Sequence, residues 1–449
     1  MVGLCTAWFL QEHGLQVTVL ERADVGAGAS HGNAGWITPA LVSPLPDPAI
    51  LREGLRAIVT RSPAVRVPAL PGPALQAFLW RFARNCTPRR RDAAQAVLGL
   101  LSGPALDAFD ALSGGGVDAP VSSGRPVIAA YRGPAERAPL VAELEHVVRH
   151  GGHWVDYELL DGAAVQQAEP ILGSAARAAV LIRGQRYLDP ARFVGALAAS
   201  VRQRGGQIST NTEVTALHAS DSGVTVTSSL AAGAVNGDGS HASDAGGRDR
   251  AEGRRYRPEG RRDRADGRHD RAGGRDRADG RYDYVVLATG AWLRRLARPA
   301  GVRTRLQSGR GYSFSVPVQQ LPAGPVYLPA RRLACTPLAS GRLRVAGIME
   351  FAPPEAPLDR ARAARIAAGL DGLLTGADTT DRGDEWVGAR PCTPDGLPVI
   401  GPTRSPRVLV AGGHGMWGIT LGPATGQLLA RAIATGTLPA ELAPFSPLR

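Results

Sequence analysis

The sequence predicts an α/β fold in which two domains are interleaved along the chain. Three observations lead there. The 449 residues, 44% of them hydrophobic, exceed what one simple core requires. The N-terminal stretch reads as a helix followed at once by an apolar strand, half of a βαβ unit. Strands running into glycine-rich or small-residue turns recur around residue 290 and residues 412–422, far from that start.

Residues 3–14 (GLCTAWFLQEHG) carry an apolar face through Leu4, Ala7, Trp8 and Leu10 and end on Gly14, which can cap a helix. The run from Gln16 to the acidic Glu21 reads as a buried parallel strand. From about residue 44 to 170 come helices punctuated by proline, one of them over residues 135–150, with strands near residues 127–131 and 153–158. This stretch reads as a separate inserted domain. A helix over residues 190–205 is followed by strands around Gln207 and residues 224–227, then by strands at 284–290 and 407–411. The last of these precedes GGHGMWGITLGPATG, which opens a helix rich in Ala and Leu. Asp189 and Asp395 read as turn residues beside prolines rather than as an acid/base pair.

Between residues 229 and 281 the composition changes to Gly, Arg, Asp and Ala, with glycines at 247, 253, 260, 267, 274 and 280 heading similar repeats. No apolar residue recurs at a heptad position, so the stretch is expected to be a disordered insert rather than a coiled coil. Residues 244–283 hold 13 arginines against 10 acids. Most of the formal charge of +12 therefore lies elsewhere, and nucleic-acid binding is not expected. All 52 Lys+Arg residues are arginine. That excludes a lysine Schiff base, a phosphate-loop lysine and a lysine general base. The four cysteines lie far apart, with no Cys/His cluster, so neither disulfide nor metal is expected. No apolar run approaches the roughly 20 residues of a membrane span. Cytoplasmic residence is the expectation, with peripheral contact at the inner face of the membrane left open.

A dinucleotide fold needs a strand, a G-x-G-x-x-G turn, a helix whose N-terminus faces the pyrophosphate, a second strand and an acid for the ribose. Gly3 suits the third glycine, and Glu21 sits where the acid is expected. The first strand and first two glycines would then precede Met1. A generic amphipathic helix and strand explains this fragment about as well.

With Ser30-His-Gly-Asn-Ala-Gly35, Ala288-Thr-Gly290 and the C-terminal glycine run added, the chain resembles the FAD-dependent D-amino acid oxidase and dehydrogenase superfamily, most closely its D-amino acid dehydrogenases. The resemblance implies a Rossmann-like FAD-binding domain over residues 1–45, 182–310 and 386–449. A mixed-sheet α+β substrate domain would cover residues 46–181 and 311–385. It also implies that Glu21 and Arg22 border the ribose, Val214 the adenine, and Ser30, Asn33, Ala34 and Gly35 the pyrophosphate and flavin. Ala288, Thr289 and Gly290 would lie on the pyrophosphate side. In sarcosine oxidases of the superfamily a cysteine tethers the flavin; Gly388 stands at the matching position here, so non-covalent FAD is expected.

The segment containing Gly413, His414, Gly415, Met416, Gly418, Ile419 and Thr420 opens a helix. Its free N–H groups would suit the flavin edge where negative charge gathers on reduction. An unliganded glycine cap is the alternative. Arg390, in G-A-R-P, is the expected anchor of a substrate carboxylate, with an interdomain ion pair as the alternative. Tyr312, in G-Y-S, is a candidate substrate contact or a core tyrosine, and His414 a candidate base or a structural histidine. The expected reaction is oxidative deamination of a D-amino acid, with hydride passing from Cα to flavin N5. The electrons would go on to a quinone-type carrier or to oxygen. A glycine, sarcosine or D-proline-type oxidase, and a remnant unable to hold FAD, stand as alternatives.

Overall fold

A computed structural model describes residues 1–52, 65–68, 71–230, 277–370 and 372–449. The first helix, Val2–Glu12, lies at the centre of the nucleotide-type half of the molecule. Its Trp8 and Phe9 share one core with Phe109, Phe193, Leu197 and Val201, and Trp8 Nε1 donates to Ser200 Oγ at 3.1 Å. The helix crosses the C-terminal helix, Gly418–Thr435, so closely that a Cβ on Gly426 would fall 2.7 Å from the Cys5 backbone. On another side a Cβ at Gly3 would fall 3.0 Å from Ala288 Cβ. Only glycine permits both approaches, and the role read for Gly3 as the close-packing glycine agrees with this geometry.

Helix Pro190–Gln203 packs alongside, its N-terminus capped by Asp189, whose carboxylate accepts from the N–H groups of Ala191 and Arg192. Asp395 likewise accepts from Leu397 N in a turn and pairs with Arg449. Both aspartates are structural, as their prolines suggest.

Two short parallel pairs flank the first helix. Thr18–Leu20 pairs with Gln207–Ser209, and Val285–Leu287 with Val408–Gly412, which Val399–Pro402 extends antiparallel. Among the described residues no ladder joins the two pairs. Thr18–Leu20 is parallel as expected but exposed or half-buried rather than fully buried, because its other edge pairs with nothing described.

The second half is a nine-stranded sheet. Its order is Gly383–Cys392, Gln307–Pro317, Arg342–Phe351, Leu333–Pro337, Val326–Leu328, Val127–Tyr131, Ala178–Arg183 and Asp156–Asp161, with Val65–Arg66 added beside Arg342–Phe351. Side chains alternate across it. Tyr312, Phe314, Val316, Leu333, Cys335, Leu343 and Val345 face one buried core together with Ala363 and Ile366 of helix Arg360–Ala368. Gly311, Ser313, Thr336, Arg344, Trp386, Gly388 and Arg390 fall on the opposite side.

The structure corrects three expectations. Residues 229–230 and 277–281 belong to a hairpin, Gly223–Leu230 against Arg277–Tyr282, in register from Val224–Tyr282 to Ser229–Arg277. The last repeat copy was read as insert because its pairing partner is distant in sequence; residues 231–276 lie outside the described residues. The expected domain boundaries at 181/182, 310/311 and 385/386 fall inside strands Ala178–Arg183, Gln307–Pro317 and Gly383–Cys392, each of which belongs to the nine-stranded sheet. Finally, Pro88–Gly114, 27 residues, is long and apolar enough to cross a membrane. It is two helices, Pro88–Ser102 and Ala105–Gly114, whose Leu98, Leu101, Phe109 and Leu112 are fully buried in the protein core.

Candidate functional site

The polar face of the large sheet meets the turns of the nucleotide-type half. Asn33 Oδ1 accepts from Gly35 N at 2.8 Å, holding the turn. Gly35 has φ +79°, and a Cβ there would lie 2.0 Å from the Leu188 carbonyl oxygen, so the backbone must come this close. The Ala34 carbonyl accepts from Thr336 Oγ1 at 2.7 Å, and Trp36 Nε1 donates to the same hydroxyl at 2.8 Å. Thr420 Oγ1 donates to the Trp36 carbonyl at 3.1 Å, which fixes the start of the C-terminal helix against the same turn. Ser30 anchors that turn through its carbonyl, which accepts from Asn33 N. Residues 30–35 and 418–420, predicted to share the cofactor, are therefore brought together.

The C-terminal helix has no side-chain cap at its N-terminus. Trp417, just before it, donates from Nε1 to the Ser43 carbonyl at 2.9 Å. Gly413, His414, Gly415 and Met416 line a cavity in front of the helix with Cys392 and Thr393. Gly415 (φ +56°) and Gly290 (φ +56°) each face open space where a Cβ would stand. Gly290 opens a turn with Trp292 N bonded to the Thr289 carbonyl, directly after Ala288, the residue packed on Gly3.

Glu21 ends its strand with Oε1 accepting from Ala23 N at 3.0 Å, and its backbone pairs with Ser209 and Thr212 beside Val214. The Arg22 guanidinium stacks over the Trp292 ring at 3.7 Å. Glu21, Arg22 and Val214, the residues expected at the ribose and adenine, thus form one group next to the turn at 288–290.

Arg390 lies on the polar sheet face. A Cβ on the facing Gly311 would sit 2.0 Å from Arg390 Nη2, so the guanidinium fills the notch that this glycine leaves. Its Nη1 donates to the Ile348 carbonyl at 2.8 Å, and no carboxylate pairs with it among the described residues. Desolvation holds its pKa below the ordinary value. Ile348 adopts φ +52°, a conformation that a β-branched residue avoids, and this twist belongs to the residue whose carbonyl meets Arg390. A guanidinium with free donors and no counter-charge is suited to an external carboxylate. The alternative of an interdomain ion pair for Arg390 does not match this arrangement.

Two candidates have structural partners of their own. Tyr312 is 1% exposed on the apolar side of the sheet, and its hydroxyl donates to Glu350 Oε2 at 2.9 Å. Glu350 also pairs with Arg362 at 2.8 Å and Arg310 at 3.5 Å. Strand alternation places it opposite Arg390, so it is a core tyrosine rather than a substrate contact. His414 Nε2 lies 3.0 Å from Thr425 Oγ1, and burial lowers its pKa to about 4. It is neutral and clamps the C-terminal helix through Thr425, and it also lines the cavity in front of that helix. Gly388, expected at the cofactor, lies beneath the Trp386 indole, where a Cβ would come within 1.8 Å, and the same ring covers Gly32, where a Cβ would come within 2.3 Å.

Arg344 was missed. It is 6% exposed, and its Nε and Nη1 have no hydrogen-bond partner among the described residues. It stands between Thr336 and Ser315 on the polar face. An arginine inside the apolar run Leu343-Arg344-Val345 was the available signal. Ser313, also with an unpartnered hydroxyl, neighbours Trp386 on the same face.

The residues present fit a flavin dinucleotide. Tight glycine crossings, two open left-handed glycines, an uncapped helix N-terminus and orphaned buried donors converge on one cleft. Comparison with known proteins agrees. Residues 1–432 match the family described as FAD dependent oxidoreductase. A D-amino acid dehydrogenase of Methylobacterium radiotolerans is 28% identical over 97% of this chain and 94% of its own length. One from Cereibacter sphaeroides is 28% identical over 96% and 89%. Among solved structures, glycine oxidase from Geobacillus kaustophilus aligns with TM-score 0.66 at 19% identity, covering 100% of this chain and 96% of that one. L-alpha-glycerophosphate oxidase from Mycoplasma pneumoniae with FAD bound aligns with TM-score 0.64 at 16% identity, covering 97% and 92%.

Proposed function

The chain belongs to the FAD dependent oxidoreductase family and uses FAD, and from that premise we propose that it oxidatively deaminates D-amino acids. The observation that carries this reading is Arg390, a mostly desolvated guanidinium with free donors on the sheet face that meets the cofactor turns. The names of the relatives from Methylobacterium radiotolerans and Cereibacter sphaeroides support it.

FAD supplies a two-electron acceptor, held non-covalently in this reading. Arg390 grips the substrate carboxylate through paired N–H groups and so fixes the direction of the Cα–H bond. Ile348, through its carbonyl, and Gly311, through its missing side chain, hold Arg390 in place. The uncapped N-terminus at Gly418–Thr420 stabilises negative charge developing on the cofactor side. Trp386 and Trp36 wall the cleft and exclude water. The substrate loses a hydride from Cα and a proton from nitrogen to become an imino acid, which water hydrolyses to a 2-oxo acid and ammonia.

A quinone-type carrier or oxygen takes the electrons onward. The carrier route is favoured by one surface: Trp80 is 60% exposed, Arg84 stacks on it at 4.6 Å, and Arg81, Arg89 and Arg90 are exposed nearby. Such a face suits an anionic lipid surface and supports peripheral contact with a membrane. Sedimentation with phosphatidylglycerol vesicles, lost in Trp80→Ala, checks it.

The test of the reaction is dye reduction by the FAD-loaded protein with a panel of D- and L-amino acids, glycine, sarcosine and D-proline. Turnover led by primary D-amino acids agrees with the proposal. Turnover led by glycine or a secondary amine instead assigns an amine oxidase of the same fold.

A further inference from the structure

We propose that Asp92, His146 and His150 form a binding site for a divalent transition metal ion, zinc above all. The three residues join helix Pro88–Ser102 to the end of helix Ala138–Arg149, and their donor atoms all lie within 4.8 Å of one another. His146 and His150 stand one helical turn apart, so both imidazoles project from the same side, with ring centroids 4.3 Å apart. His146 Nε2 lies 3.7 Å from Asp92 Oδ1. Tetrahedral zinc with bonds near 2.1 Å sets its ligand atoms about 3.4 Å apart, so small side-chain rotations complete the triangle.

The tautomers are already those a metal requires. His150 Nδ1 is 2.8 Å from the His146 carbonyl oxygen, and only a protonated Nδ1 makes that contact favourable. Its Nε2 therefore carries a lone pair, and the carbonyl is the kind of outer partner that orients a metal-bound histidine. His146 Nε2 accepts from Arg91 Nε at 3.3 Å, so it too presents a lone pair. The opposing charges are Arg91 and Arg149. Arg91 is already committed to Asp47 through Nη1 at 2.8 Å, so a metal displaces only its weaker Nε contact. Three protein ligands leave a fourth position for water. Nothing in the amine-oxidising cleft uses these residues, which makes the site a staple between two helices.

The experiment is calorimetric titration of the FAD-loaded, chelator-stripped full chain with zinc chloride, alongside Asp92→Asn, His150→Ala and His153→Ala. Asp92 is half exposed, so its substitution leaves the core untouched. His153 is an exposed histidine nearby and serves as the control. Asp92→Asn and His150→Ala are each expected to weaken the tightest zinc event by about tenfold or more, with His153→Ala unchanged. Zinc should also raise the Tm of the wild type and of His153→Ala more than that of the other two. Unchanged affinity in either Asp92→Asn or His150→Ala, or equal loss in His153→Ala, overturns the proposal.

Discussion

The Arg390 guanidinium occupies the volume that a side chain on Gly311 would fill: a Cβ built there would lie 2.0 Å from Nη2. Position and charge can therefore be perturbed separately. Gly311→Ala should displace the guanidinium without removing it, and Arg390→Met should remove the charge. Both are expected to raise KM for D-amino acids and lower kcat/KM, by roughly a hundredfold for the Met variant, which corresponds to about 3 kcal/mol. Steady-state dye reduction checks this. An Arg390→Met enzyme with unaltered KM would remove the anchor role.

Tyr312→Phe separates core from catalysis. The Glu350 carboxylate loses one donor but keeps Arg362 and Arg310. Stability should fall by about 1 kcal/mol while kcat/KM stays within about twofold. Denaturant titration and kinetics on one preparation decide it, and a large kinetic loss would return the tyrosine to the site.

Acid sensitivity follows from His414. Its folded pKa of about 4 lies below the ordinary 6.5, so between those values the unfolded chain binds the extra proton. Stability is complete above about pH 6.5 and falls as pH drops toward 4, by roughly 3 kcal/mol from this residue. His414→Gln, which can still bond Thr425, should show a shallower slope by about one proton in that window. Equal slopes for the two proteins would show that His414 does not drive the effect.

The crossing at Gly426 leaves no room for a side chain. Gly426→Val should lower stability by about 3 kcal/mol and loosen retained flavin, because the first helix and C-terminal helix separate where the cofactor cleft begins. Asp189→Ala, which removes only a helix cap, should lower stability by about 1 kcal/mol with flavin retained. Flavin absorbance and melting curves distinguish the two.

Much of this site was legible because its chemistry depends on local patterns. Gly3 packs on Ala288 as a close-packing glycine should, and Arg390 of G-A-R-P, the proposed carboxylate anchor, lies on the polar sheet face bonded to the Ile348 carbonyl. Tyr312 was not legible. Alternation shows that it opposes Gly311 and Ser313, but which side of the strand meets the cofactor depends on the register with Gly383–Cys392, a distant partner. Arg344 escaped for a related reason, since its burial is imposed by strands on both sides. The pairing of Arg277–Tyr282 with Gly223–Leu230 is equally non-local, and a repeat that looks uniform hides the copy that a ladder has captured.

That hairpin has a practical meaning. The chain leaves the ladder at Leu230 and returns at Arg277, with 46 residues between them. Closing a loop costs only about 0.6 kcal/mol more for each doubling of its length, so the two strands are nearly indifferent to how much sequence separates them. The fold carries a cargo bay: a position where a lineage can gain or lose dozens of residues, or an engineer can graft a tag or a second domain, while the cleft stays as it is.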